Sequence, residues 1–388
     1  MQHKKQQIAV YIHWPFCLSK CPYCDFNSHV LEEIDESAWR TSYEREIDSF
    51  TSQISGRYIS SIFFGGGTPS LMPPSLAYSI INKLHKIGSI DSSTEVTLEA
   101  NPTSSELQKF RDFKSAGVNR ISIGVQSLRQ RDLEFLGRKH NISEALNAIE
   151  MAKNTFDRTS FDIIYARPLQ TLSDWKAELS EIVSISADHL SLYQLTIEKG
   201  TPFFKMHKDK HFELPENDLA AEMYNWTNNY LSENRYYRYE ISNYAKAGNE
   251  SRHNLAYWNY DEYVGIGAGA HSRIREGERV FAVMNIHSPA KWQEAALNAA
   301  AVQSKAELSE EEVAEEILMM GLRLKDGISD CKLQELLSLE FSDIIDMKVL
   351  QNYIDLGLAI FDGKNLKLTD RGLLLHGYIV PRLLSVEE

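Results

Sequence analysis

Ile8-Ala9-Val10-Tyr11-Ile12-His13-Trp14-Pro15-Phe16-Cys17-Leu18-Ser19-Lys20-Cys21-Pro22-Tyr23-Cys24 joins an apolar, β-rich run to three cysteines on one loop. Five more such runs recur through the first half of the chain, at 61–64, 95–98, 120–123, 161–165 and 190–193. Segments with helical apolar spacing lie between them, among them 36–50, 75–87, 106–116 and 174–185. Strand and helix alternate, so the pattern predicts a parallel sheet. A doubly wound open sheet would satisfy the alternation. The chemically unusual residues, however, follow the ends of nearly every strand, as the C-terminal face of a barrel requires. The expected fold is therefore α/β: a partial (β/α)6 TIM-like barrel with its site at the strand ends.

The chain has four cysteines, three of them Cys17, Cys21 and Cys24. Three thiolates on one short loop can wrap a cubane [4Fe-4S] cluster and leave one iron without a protein ligand. The amine and carboxylate of a small amino acid can chelate that iron. S-adenosylmethionine carries this group beside a sulfonium, and an electron from a reduced cluster can cleave a carbon–sulfur bond to release a 5'-deoxyadenosyl radical. The competing reading is a structural Cys3His zinc site with His13 or His29 as fourth ligand, although zinc sites more often use two separated pairs. The remote Cys331 sits among helix formers and reads as a small buried hydrophobe.

The totals narrow the function classes. Among 388 residues, 41 are basic and 54 acidic, a net charge of -13 that argues against a large nucleic-acid surface. No stretch approaches the ~20 apolar residues of a spanning helix. The polar start, 1–7, has no apolar signal-peptide core, so a cytoplasmic location is expected.

Further candidates sit at the strand ends. Gly65-Gly66-Gly67-Thr68-Pro69 follows the second strand, where missing side chains let the backbone approach a ligand. A tight strand-to-helix turn would use the same residues. Glu99, Asn101 and Pro102 end the third strand, and a carboxylate there could bind ribose hydroxyls or a cationic group. Gln126 ends the fourth strand, Arg138 could pair with a carboxylate, and Asp162 lies in the fifth strand. On successive strand ends these residues ring one site.

After about Asn234 the pattern changes. Residues 236–244 are rich in aromatics and 265–269 in glycine. The Gly265-x-Gly267-x-Gly269 run lacks the strand-then-helix setting of a dinucleotide fingerprint and reads as a close-packed loop. A distinct unit begins near Glu307, with helices expected at 309–324, 332–339 and 341–356. A hairpin of 358–361 and 366–368 follows, turning at Asp362-Gly363. Helices followed by a hairpin suggest a C-terminal α+β winged-helix-like domain. The expected organisation is a core barrel at 1–235, a connecting region at 236–306 and this domain at 307–388.

The stretch from Tyr11 to Cys24 resembles the opening of the radical S-adenosylmethionine proteins related to oxygen-independent coproporphyrinogen III dehydrogenase, and the likeness extends over most of the chain. The resemblance implies cofactor contacts at Tyr11, Tyr23, Gly66, Gly67, Thr68, Glu99, Gln126, Arg138 and Asp162, with Tyr23 able to stack on adenine. Those dehydrogenases carry a further cysteine two residues after the third. Here Asp25-Phe26 stands in that place, and Cys-Pro-Tyr-Cys-Asp-Phe-Asn instead resembles the HemW-type haem-chaperone branch. His253-Asn254-Leu255-Ala256-Tyr257-Trp258 matches that branch's His-Asn-x-x-Tyr-Trp signature. An imidazole can ligate haem iron, and aromatic neighbours can pack on a porphyrin, so His253 is the candidate haem ligand. A histidine fixed by hydrogen bonds within a folded loop is the alternative.

The branch implies a protein that binds haem and passes it to acceptor haem proteins of a respiratory chain. An electron donor such as a flavodoxin or ferredoxin would serve the cluster, and membrane acceptors would be reached by protein contact. The alternative is an enzyme, a coproporphyrinogen III dehydrogenase that oxidatively decarboxylates two propionates to vinyls.

Overall fold

The computed structural model describes residues 6–30, 34–186 and 188–384, so the first five residues of the polar start lie outside it. The six apolar runs become β1 (Gln7–Trp14), β2 (Tyr58–Gly66), β3 (Glu95–Ala100), β4 (Arg120–Gln126), β5 (Arg158–Tyr165) and β6 (His189–Gln194). They pair in that order, all parallel. Each strand outruns the apolar run that announced it, because the parallel ladder continues into the polar strand ends.

The later chain adds strands to both sides of the same sheet. These are β7 (Tyr237–Arg238), β8 (Asn243–Ala245), β9 (Tyr263–Ile266), β10 (His271–Glu276), β11 (Arg279–Asn285) and β12 (Val302–Glu307). The result is a 12-stranded sheet in the order β12-β11-β10-β9-β1-β2-β3-β4-β5-β6-β8-β7. β9 runs parallel to β1, and every strand outside it is antiparallel. The end strands β12 and β7 do not pair with each other, so the arc stays open as a partial barrel.

Strand alternation decides what lies inside the arc. Ile121, Ile123 and Val125 of β4 and Phe161 and Ile163 of β5 belong to the main apolar core. The alternate residues Ser122, Gly124, Gln126, Asp162 and Ile164 face a cavity. An inner face this polar cannot close as a packed core. Helices such as α1 (Glu36–Ser49), α2 (Pro74–Ile87), α3 (Ile142–Thr155) and α4 (Leu172–Ile185) cover the outer face. In α2 the buried Leu76, Ile80 and Leu84 recur at the helical spacing. Asn141 and Thr171 start α3 and α4 with reciprocal capping boxes to Glu144 and Asp174.

Several local expectations change. The single helix expected at 106–116 is two, Ser104–Leu107 and Phe110–Ser115. The Glu106 carboxylate turns inward to accept from the Ser70 and Thr103 hydroxyls and the Asn101 N–H. The helix expected at 341–356 is also two, Phe341–Ile344 and Met347–Asp355. Between them the Asp346 N–H donates to Leu383 O, and its carboxylate caps the second helix through the Lys348 and Val349 N–H groups. The glycine-dense stretch is not all loop. Gly265 lies in β9, and Gly267 (φ +112) lies so close to His13 that a Cβ would strike its carbonyl oxygen. Cys331 is exposed rather than buried.

The C-terminal residues build a separate core around Leu318, Leu333, Leu366 and Ile379. An antiparallel sheet joins Ile328–Ser329, Asn365–Leu368 and Ala359–Phe361. This unit docks on the barrel through Arg323–Glu240 (2.9 Å), Arg238–Asp370 (2.6 Å) and Arg273–Glu316 (2.6 Å). Its Leu373 and Leu374 reach the barrel cavity and form part of its wall.

Candidate functional site

The cysteine loop lies across the C-terminal end of β1 and is tied at both ends. Phe16 and Cys17 pair in parallel with His29 and Val30, and the His29 N–H donates to Pro15 O at 2.7 Å. The glycine run after β2 supports it from beside: the Gly67 N–H donates to Trp14 O (2.6 Å) and the Thr68 N–H to Phe16 O (2.8 Å). A Cβ at Gly67 would stand 2.6 Å from the Phe16 carbonyl oxygen, so this approach demands glycine. The Gly66 N–H goes to the Glu99 carboxylate. The N–H groups of Gly67 and Thr68 are therefore spent on holding the loop, and that of Gly66 on holding Glu99.

Cys17, Cys21 and Cys24 form no disulfide and line a cavity of about 710 Å³. Hydrogen-bond donors are aimed at the sulfurs. The Thr68 hydroxyl donates to Cys17 Sγ at 3.4 Å, Arg138 Nη1 donates to Cys21 Sγ at 3.5 Å, and the Ser28 hydroxyl faces Cys17 and Cys24. Burial pushes the Cys17 and Cys24 thiols up, against those bonds. Bound iron would supply the positive charge that thiolates need here. Arg138 Nη2 also donates to Gly124 O at 2.9 Å and to Asn101 Oδ1, and Asn101 Nδ2 donates to Thr68 Oγ1 at 3.0 Å. One hydrogen-bonded chain thus ties the ends of β2, β3 and β4 to two of the three sulfurs.

These residues fit a cubane better than a single ion. Among the described residues no group of three or more His, Cys, Asp or Glu side chains is gathered tightly enough for one metal ion. A tetrahedral zinc site would need its sulfurs about 3.8 Å apart. Of the histidines proposed as fourth ligand, His13 has both nitrogens engaged, Nδ1 with the Tyr11 hydroxyl at 3.0 Å and Nε2 with Asn27 O at 2.9 Å, while His29 is exposed and held through Nε2 alone, by Asn27 Oδ1 at 2.9 Å.

Deeper in the cavity two carboxylates share the inner face. Burial and the nearby Asp162 charge push Glu99 up to about 8, against the hydrogen bond from Gly66. Burial also raises Asp162, opposed by the Ser191 and Ser122 hydroxyls, with Ser122 Oγ donating to Asp162 Oδ1 at 3.0 Å. Neither carboxylate has an ion-pair partner among the described residues, so this part of the cavity favours a cationic ligand. Gln126 ends β4 with φ 65, at the point where the β4–β5 register slips. A non-glycine residue in that region is strained, and such strain collects at functional sites. Tyr23 stands at the same cavity, its ring 6.3 Å from that of Phe203.

The structure therefore brings Cys17, Cys21, Cys24, Tyr23, Gly66, Gly67, Thr68, Glu99, Gln126, Arg138 and Asp162 to one cavity. Two expected residues are not among its lining. The Tyr11 hydroxyl is hydrogen-bonded to His13 Nδ1 at 3.0 Å, and its ring stacks beside Phe63 and His253. His253 lies on the helix Arg252–Trp258 and is 1% exposed. Its Nδ1 is hydrogen-bonded to Ser61 Oγ at 2.9 Å and its Nε2 to the Tyr257 hydroxyl at 3.0 Å. Burial holds its pKa down at about 3. Glu95, paired with Arg120 and Arg158, accepts the His253 N–H at 3.2 Å and so fixes the start of this helix. The expected haem ligand is therefore not an open imidazole in this structure, because both its nitrogens are engaged.

Sequence reasoning passed over Ser122, Lys20, Tyr193, Leu373 and Leu374, all of which line the cavity. Ser122 was findable from its two-residue step to Gly124 and Gln126. Leu373 and Leu374 carry no local signal, since only docking of the C-terminal unit brings them there.

Comparison with known proteins agrees with this site. The radical SAM superfamily model matches residues 11–182, and the HemN C-terminal domain model matches residues 308–375. The mitochondrial radical S-adenosyl methionine domain-containing protein 1 of Danio rerio is 35% identical, over 97% of this chain and 87% of its own. The heme chaperone HemW of Haemophilus influenzae is 32% identical, over 99% of this chain and 100% of its own. The solved structure of coproporphyrinogen III oxidase (HemN) from Escherichia coli superposes with a TM-score of 0.81 at 20% identity, covering 99% of this chain and 91% of that one. At that identity the superposition establishes the shared fold alone. With the cysteine loop, the open parallel arc and relatives matched over nearly their whole length, the chain belongs to the radical SAM superfamily, in its HemW-type branch.

Proposed function

We propose that this protein binds haem and hands it to acceptor haem proteins, with a [4Fe-4S] cluster and S-adenosylmethionine, the cofactors of its superfamily, held in the barrel cavity. The observation that carries the reading is the match to heme chaperone HemW over the whole of that protein's length. Cys17, Cys21 and Cys24 are the cluster ligands, held by Thr68 and Arg138. Glu99 and Asp162 would hold the cationic end of S-adenosylmethionine, and Tyr23, Gln126 and the glycine run line the same cavity. When bound, this pair supplies one-electron chemistry and a 5'-deoxyadenosyl radical. The chain's own residues position it: the carboxylates hold the sulfonium, Arg138 supports two strand ends, and Leu373 and Leu374 close part of the wall.

The protein works in the cytoplasm. No helix among the described residues is long and apolar enough to cross a membrane. In this reading haem reaches a respiratory acceptor through protein contact. A flavodoxin or ferredoxin would supply the cluster's electron.

Coproporphyrinogen dehydrogenation is the reading to be tested against this one. Phe26 is 60% exposed at the cavity, where the dehydrogenases carry a cysteine, and it offers no sulfur. Anaerobically reconstituted protein, supplied with a reductant, is given coproporphyrinogen III and S-adenosylmethionine while a parallel sample is titrated with haem. The proposal expects a Soret band at stoichiometric haem and no protoporphyrinogen. Protoporphyrinogen formation, or no haem bound, overturns it.

A further inference from the structure

His253 is sealed, so haem iron needs another open nitrogen. The outer lip of the cysteine loop supplies one. His29 and His287 are both exposed, with ring centroids 6.4 Å apart. Asn27 holds the pair together: it accepts from His29 Nε2 through Oδ1 at 2.9 Å and donates through Nδ2 to His287 O at 3.0 Å. The first of these bonds leaves the His29 Nδ1 lone pair outward. The second is made to the His287 main chain, and the His287 ring makes no hydrogen bond among the described residues.

The same loop exposes three large apolar side chains, Leu18 (60%), Phe26 (60%) and Val30 (59%). Pairing of Cys17 with Val30 and of Phe16 with His29 draws the two ends of the loop together. Three large apolar side chains left exposed on one short loop make it a candidate binding surface. Lys20, also on this loop, places its ammonium 3.3 Å from Phe26 O, in solvent.

We infer that this lip, built from Leu18, Phe26, Val30, Lys20 and the His29–His287 pair, is the haem-docking site, with the histidine pair supplying the axial nitrogen. It rests on the haem-binding reading above. The three parts of the ligand match three features of the surface. The flat apolar face lies on Phe26 and its aliphatic neighbours. The iron takes an imidazole nitrogen. A propionate pairs with the Lys20 ammonium. Haem held here stands at the rim of the cluster cavity and open to solvent, where an acceptor protein can reach it.

The test titrates cluster-loaded protein with ferric haem and reads the Soret band and the low-temperature EPR spectrum. Wild type, H29A/H287A, F26S and H253A are compared, with iron and sulfide content measured in each to show an intact cluster loop. H29A/H287A is expected to lose the imidazole-type spectrum and at least tenfold in affinity, and F26S to lose severalfold. H253A, if it folds, keeps the wild-type spectrum. An unchanged titration in H29A/H287A with full cluster content overturns this site while leaving haem binding in place. Failure of wild type itself to bind haem overturns the functional reading and this inference with it.

Discussion

The cysteine loop and the His253 helix carry the two most specific motifs of the chain, and they end in opposite environments. Beside the loop, its three sulfurs converge on open space with two unpaired carboxylates and one arginine from the strand ends and a neighbouring turn. On the helix, the imidazole, Ser61, Tyr257 and Glu95 satisfy one another with 1% of the histidine left exposed. Polar groups facing a cavity await a ligand, whereas polar groups that satisfy each other fix a structure. A motif shared with a family therefore marks two different roles, and only the hydrogen-bond inventory separates them.

The sharpest way to break this contrast is at the sulfurs. Cys21→Ala should abolish bound iron and acid-labile sulfide in anaerobically reconstituted protein while leaving the far-ultraviolet circular dichroism unchanged, because its thiol lines the cavity and lies outside the apolar core. Retained iron would place the cluster elsewhere.

The helix side should respond in the opposite way, through stability. Glu95→Ala strands the buried Arg120 and the half-buried Arg158 and frees the start of the His253 helix. A loss of about 3–5 kcal/mol in urea unfolding is expected. His253→Ala leaves Ser61 and Tyr257 without partners and should cost about 1–3 kcal/mol, with haem affinity preserved. A stable His253→Ala protein that no longer binds haem would reverse the assignment.

The smallest effect concerns pH. Glu99 titrates near 8, so below that pH it is largely protonated. A sulfonium beside it favours the carboxylate, so binding of S-adenosylmethionine should release protons and tighten as pH rises from 6 towards 8. Calorimetry in two buffers of different ionisation enthalpy reads the proton count, and Glu99→Gln should remove its dependence on pH. The same raised value works against stability. The unfolded carboxyl ionises near 4.5, so the stability this group contributes is lost as pH climbs from there to about 8.

Most of the barrel was legible because six apolar runs separated by helical patterns leave few topologies, and β1 to β6 pair in chain order. The cavity ring was legible for the same reason, since residues at successive strand ends must converge. What the chain concealed depends on distant partners. Ser61 meets His253 across 192 positions, and Glu95 meets the His253 N–H across 158, so no local pattern could show that the histidine is closed. The helix breaks near Glu106 and at Asp346 likewise come from side chains and main chain drawn to distant groups, Ser70 and Leu383. Tyr11, which the resemblance implies at the cofactor, shares its hydroxyl with His13 and is absent from the cavity lining, a placement set by the fold of β1.

The central claim is an iron–sulfur cluster with three cysteine ligands and one iron left open to the cavity. EPR of the dithionite-reduced protein, recorded before and after adding S-adenosylmethionine, tests it most directly. A reduced [4Fe-4S] signal whose g-values shift on addition is the predicted result. A signal indifferent to S-adenosylmethionine, or a colourless protein carrying zinc, would contradict it.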